Sequence, residues 1–120
     1  MGNAANFTVI RDAWTTDLNE GVDFTVQSTL DTSRSSVLSF IVDNFSHGDA
    51  SVAIRINGKK VWNWSFTSRQ VRMFQEVIGN DVLRPGTNRI HVEMHRNESG
   101  SLDFAGFQFS DVVLWYRVNI

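Results

Sequence analysis

Apolar and polar side chains alternate every two residues along this chain, and no stretch holds the 3.6-residue period of an amphipathic helix for more than about one turn. Such alternation predicts strands with one face on a core. Phe7 to Ile10 opens the pattern, and Val22, Phe24 and Val26 then alternate with Asp23, Thr25 and Gln27. A polar stretch from Ser28 to Ser36 interrupts it. Val37 to Val42 is apolar at nearly every position, which predicts a central strand covered by the second sheet on one side and by a loop or another subunit on the other. Val52, Ile54 and Ile56 run into Asn57-Gly58, a strong hairpin signal, and Trp62, Trp64 and Phe66 form the apolar set of the return strand.

A two-residue Asn57-Gly58 loop with regular pairing would set Ile54 opposite Val61 and turn the tryptophans to the wrong face. One additional residue corrects this, so a three-residue loop with a glycine bulge is expected, with Trp62 and Trp64 in the core. Gln70 to Ile78 is the next strand, anchored by Phe74 and Val77. In the Gly79 to Gly86 turn segment, Asn80 and Asp81 cap a single helical turn through Leu83. Ile90, Val92 and Met94 then face inward, with Arg89, His91, Glu93 and His95 outward. After a polar loop from Arg96 to Ser101, strands follow at Leu102 to Phe109 and Asp111 to Ile120. In the last of these Val112, Leu114, Tyr116 and Val118 share one face, and Val113, Trp115 and Arg117 the other. About nine short strands with regularly spaced turns predict an all-β protein, a two-sheet antiparallel β-sandwich forming one domain over residues 1–120.

Ile56-Asn57-Gly58-Lys59, the Phe74 to Val77 strand and the segment from Val82 through Pro85-Gly86-Thr87-Asn88 to Val92 resemble the jelly-roll modules of the galactose-binding-domain-like superfamily. These modules accompany glycoside hydrolases and carbohydrate-binding proteins. The resemblance implies a jelly-roll fold and not an activity, since the matching residues belong to turns and core. It also implies a structural Ca²⁺ near the first loop and last strand. Asp12, Asp17, Asn19, Glu20 and Asp23 concentrate oxygen ligands there, with Asp111 to complete the set, so Asp17, Asp23 and Asp111 are the candidate metal ligands, with turn chemistry of solvated acids as the competing reading.

Composition narrows the alternatives. The chain has no cysteine, which removes disulfides and thiolate chemistry, and a formal net charge of -2 without a basic stripe argues against a nucleic-acid partner. No apolar run approaches the roughly 20 residues that span a bilayer. Met1 to Ala5 lacks the layout of a signal peptide, and the compartment stays open. Nine Phe and four Trp supply core area, and exposed Trp also stacks on sugar faces.

Trp115 with Arg117 on the last strand and Trp14 in the first long loop are the aromatic platform candidates, with burial of Trp115 under a loop or in a subunit contact as the competing possibility. If consecutive strands are antiparallel, Arg11 to Gly21, Asn44 to Ala50, Thr67 to Arg69 and Arg96 to Ser101 gather at one end, opposite the Asn57-Gly58 and Pro85-Gly86 turns. That end carries Trp14, Asp17, Asn19, His47, Asp49, Arg69, Arg96 and Asn97, the expected ligand site. His91, Glu93 and His95 project from one strand face at metal-ligand spacing, although an ordinary solvated face has the same pattern. No nucleophile elbow or phosphate-cradling glycine loop is present, and no enzyme is expected. The expected function is a lectin-like carbohydrate-binding module, multivalent through homo-oligomerisation. The alternative is an assembly module that makes protein contacts without sugar.

Overall fold

The structure, a computed structural model, describes residues 2–45, 50–96 and 106–120, with backbone alone at 95 and 96. Among them eight strands form: β1 (Asn3–Trp14), β2 (Val22–Val26), β3 (Ser36–Asn44), β4 (Ala50–Ile56), β5 (Lys59–Phe66), β6 (Gln70–Ile78), β7 (Gly86–Arg96) and β8 (Phe107–Asn119). They pair antiparallel in two four-stranded sheets, ordered β1-β8-β3-β6 and β2-β7-β4-β5. This is the expected jelly-roll sandwich, with eight strands instead of nine. No helix of the described residues is long and apolar enough to cross a membrane.

The alternation explains the layering. Leu38, Phe40 and Val42 of β3, Ile54 and Ile56 of β4, Ile90 and Val92 of β7, and Val112 and Leu114 of β8 are buried between the sheets. Each such side chain contributes about 1.5–3 kcal/mol by leaving water. Phe40 lies at the centre, its ring 4.8 Å from Trp62 and 5.9 Å from Phe109.

The hairpin reaches its expected faces by a different device. Ile56 pairs with Lys59, so the loop has two residues, and Asn57 (φ 51°) and Gly58 (φ 83°) take the left-handed conformations that such a turn demands. The additional residue is Val61, bulged within β5, and Ile54 therefore pairs with Trp62. The two strands expected at the C-terminal end also differ. Asp111 does not break them: it takes φ 49° inside one continuous β8, where the pairing with β1 and β3 shifts, while 101–105 lie outside the described residues. Asn80 to Leu83 makes a turn closed by the Val82 amide on the Gly79 carbonyl at 3.2 Å, without a helical turn.

Two edge strands reverse the expected hydrophobic order. On β6, Val77 is 68% exposed and is not a core anchor, because Phe74 and Ile78 on the opposite face turn toward the other sheet. Val71, Met73 and Val77 consequently point away from the core. On β1, Phe7 and Val9 are exposed likewise, while Asn6 and Thr8 are the half-buried neighbours.

Candidate functional site

β5 and β6 are edge strands of different sheets, so the sandwich is open along the side where they face each other. Trp62 closes the floor of that opening, its ring 4.8 Å from Phe74. Trp64, two residues on and nearer the rim, is 38% exposed and does not join the core as expected. Its ring stands 5.2 Å from Phe74, and the Arg72 guanidinium lies 4.8 Å from the Trp64 ring centroid and 5.5 Å from that of Phe74. A cation over an indole contributes on the order of 0.5–2 kcal/mol, which steadies the ring without covering all of it.

The opening holds a depression of about 360 Å³ in which Trp62, Trp64 and Phe74 supply apolar surface and Lys60, Asn63 and Glu76 supply polar groups. A second depression, about 280 Å³, adjoins it on the outer face of β4 and β5 and shares Lys60, Asn63 and Trp64. Ser51, Ser65 and Glu93 line it further. An apolar ring beside a few polar groups is the composition of a small-molecule site. Glu93 is already engaged: Arg55 donates to its carboxylate and holds the carboxyl below the usual range. His91 Nε2 lies 4.0 Å from Glu93 Oε1, so the Arg55 ion pair stands in the middle of the outward row of His91, Glu93 and His95; the His95 side chain lies outside the described residues.

At the first long loop, Trp14 does not serve as the expected platform. Trp14 is 1% exposed, packed 6.1 Å from Phe109 with its indole N–H buried without a partner, and has no face for a ligand. Beyond it the loop is strapped along β7 past the end of its pairing with β2: Val92 donates to the Leu18 carbonyl at 2.8 Å, and within the loop Gly21 donates to that of Asp17 at 2.7 Å. The strap carries Asn19 to a depression shared with Asn57, Gly58 and Arg84, at the turns expected to lie opposite. Asp17 and Asn19 also border a shallow depression with Met94. His47, Asp49 and Asn97 lie outside the described residues, as does the Arg96 side chain.

The expected calcium set is not assembled. Asp23 pairs with Arg89 at 2.9 Å on one sheet, whereas Asp111 sits in the β8 bulge of the other. Among the described residues no group of three or more His, Cys, Asp or Glu is placed to hold a metal ion.

Trp115 is 47% exposed on the outer face of β8, with Phe7 5.2 Å away. Its surroundings differ from those of Trp64. Its indole N–H is bound to Ser39 Oγ at 3.1 Å, and Arg117 is held by Asn3, whose amide in turn donates to Asp31 at 3.1 Å. The polar groups beside Trp115 are thus tied into the fold, and its remaining neighbours Phe7, Val37 and Val113 are apolar. Sequence pattern missed Trp64 because it shares the alternation of Trp62 and Phe66; only its position on an edge strand exposes it.

No protein-family model and no curated protein matches the chain. Similarity appears among solved structures. Dimeric latent PorU from Porphyromonas gingivalis superposes with a TM-score of 0.57 at 10% identity over 97% of this chain, which spans 12% of that protein's length. The C-terminal domain of EclA, a sugar-binding protein, superposes with a TM-score of 0.54 at 10% identity, covering 95% of this chain and 79% of the other. At these identities the likeness is one of fold.

Proposed function

We propose that the chain is a non-catalytic carbohydrate-binding module, made multivalent by association of copies, and that its sugar surface is the opening between β5 and β6 around Trp64. The observation that carries this reading is a half-exposed indole, steadied by Phe74 and Arg72, next to Lys60, Asn63 and Glu76. The CH groups of a pyranose stack on the ring, the ammonium and amide donate to its hydroxyls, and the carboxylate accepts from them. The fold shared with the sugar-binding EclA domain supports the same reading. A single open site of this kind binds weakly, and several copies held together raise the avidity.

A glycan array followed by calorimetric titration of the strongest sugar tests the assignment. Trp64→Ala is expected to lower affinity about tenfold or more, about the stacking contribution of one ring, while Trp115→Ala leaves it unchanged. A silent array for the wild type, or unchanged affinity in Trp64→Ala, would refute the reading.

A second reading, an assembly module that makes protein contacts without sugar, is favoured by the exposed apolar side chains of β1, β6 and β8.

A further inference from the structure

The outer face of the β1-β8-β3-β6 sheet carries an uncharged, mostly apolar band across all four strands. The pairing places Phe7, Trp115, Val37 and Val77 in one row across all four strands, and Val9, Val113, Ser39 and Gln75 in the next. Neither row contains a charged side chain, and Ser39 is already bonded to the Trp115 indole. Ile41 pairs with Met73 beyond them. The exposed members alone, Phe7, Val9, Val71, Met73, Val77 and Trp115, present roughly 600 Å² of apolar surface, at the top of the range for the largest patch on a monomer. A stable interface covers about 800 Å² per partner, a figure this patch approaches before its half-buried neighbours are added.

The sequence spends hydrophobic side chains here at some cost elsewhere. β1 aims Phe7 and Val9 outward and leaves Asn6 and Thr8 toward the other sheet, and β6 aims Val71, Met73 and Val77 outward while Arg72 and Glu76 share the inner side with Phe74 and Ile78. Folding of the single chain gives no reason for that choice, and coverage of the outer face does.

We infer that this face is the interface of a symmetric dimer, its occupant a second copy of the same chain. The two central rows carry no charge, and Arg117 and Asp43, charged groups of the same face, lie beyond them toward opposite ends of the strands, so the rows meet their own copy without opposing like charges. Its relief is also self-complementary. The β1 and β8 half carries the rings of Phe7 and Trp115, and the β3 and β6 half carries Val37, Ile41 and Val77. A two-fold axis lying between the faces along the strands sets each copy's aromatic half over the other's aliphatic half, large side chains against small. Two sheets packed this way stand about 10 Å apart with strands near 30°. The association named in the sugar reading would then use this face, but the inference rests on the face itself. Mass reports on it and sugar titration reports on Trp64, so either can fail alone.

Sedimentation equilibrium at about 100 µM chain, a concentration that populates even a micromolar dimer, is the test. The wild type is expected at twice the chain mass. Val77→Glu and Met73→Glu, both at exposed positions of the protomer, are expected at the chain mass with circular-dichroism melting of the monomer intact, a loss of association of at least about a hundredfold. Thr25→Glu, exposed on the other sheet, is expected to leave the dimer in place. A monomeric wild type, or a dimer that both face variants leave intact, would overturn the inference.

Discussion

The Asn57 side-chain amide donates a 2.8 Å hydrogen bond to the side-chain oxygen of Asn88, thirty-one positions along the chain. The same Asn57 amide reaches the Val82 carbonyl at 2.9 Å, and its oxygen accepts from the Arg89 amide at 3.0 Å. Asn88 is fully buried and bonds the Arg84 amide and the Arg84 and Gly86 carbonyls. The Asn57-Gly58 hairpin and the Pro85-Gly86 turn are therefore one knot of two amides, which explains why the two short motifs behind the jelly-roll resemblance occur together.

Replacing Asn88 by alanine leaves the part-buried Arg84 amide and the Arg84 and Gly86 carbonyls without this partner, and the Asn57 amide with one bond fewer, each costing about 1 kcal/mol. Asn88→Ala is expected to lose roughly 3 kcal/mol in urea unfolding. A loss below that of an ordinary surface substitution would show that water replaces the amide.

Gly21 and Gly58 have nearly the same φ, 85° and 83°, in different surroundings. A Cβ on Gly58 meets nothing within 4 Å, whereas one on Gly21 would lie 2.5 Å from the Ile90 carbonyl oxygen, where the first loop is strapped to β7. Gly58→Ala is expected to cost about 1–2 kcal/mol, the left-handed penalty alone, and Gly21→Ala distinctly more. Equal losses in denaturant would refute the close approach.

Asp31 is held below the usual carboxylate range by the Ser33 hydroxyl and amide, opposed by its burial, with the Asn3 amide adding to the effect. A carboxyl lowered on folding stabilises the protein above the unfolded value near 3.9, and that stability is lost as pH falls through the lower folded value. Calorimetric melting from pH 6 to pH 2.5 should show Tm falling below about pH 4. Asp31→Asn should melt lower at pH 6 and fall less steeply on acidification.

Arg72 and Phe74 support Trp64 in different ways, and truncation separates them. Phe74→Ala removes ring contacts to Phe40, Trp62 and Trp64 and is expected to cost about 3–5 kcal/mol along with sugar affinity. Arg72→Ala removes a cation from the rim and is expected to cost about 1 kcal/mol or less, with a several-fold loss of affinity. Parallel melting and titration of the two variants checks this.

The fold was legible because alternation over Val22 to Val26, Val52 to Ile56 and Ile90 to Met94 matches burial on the side expected. The site was not, since alternation states which residues share a face and leaves open whether that face meets the core. Val77, Trp64 and Trp14 show the gap in both directions: the first two are exposed by lying on edge strands, and the third is buried because β1 continues through it to pair with Phe109 of β8. The tether of Arg117 was illegible for a related reason, as the bond that holds it comes from Asn3 at the far end of the chain.

The inverted faces of β6 also bear on how the chain finds its fold. Val71, Met73 and Val77 are as apolar as Phe74 and Ile78, so burial of the strand alone does not choose between the native pairing and one slipped by a single residue. The choice falls to Phe74, whose ring lies 5.6 Å from Phe40, its pairing partner on β3, and meets Trp62 from the other sheet. One aromatic side chain thus acts as the index mark of a whole strand, and a chain lacking it would have two registers competing for the same edge.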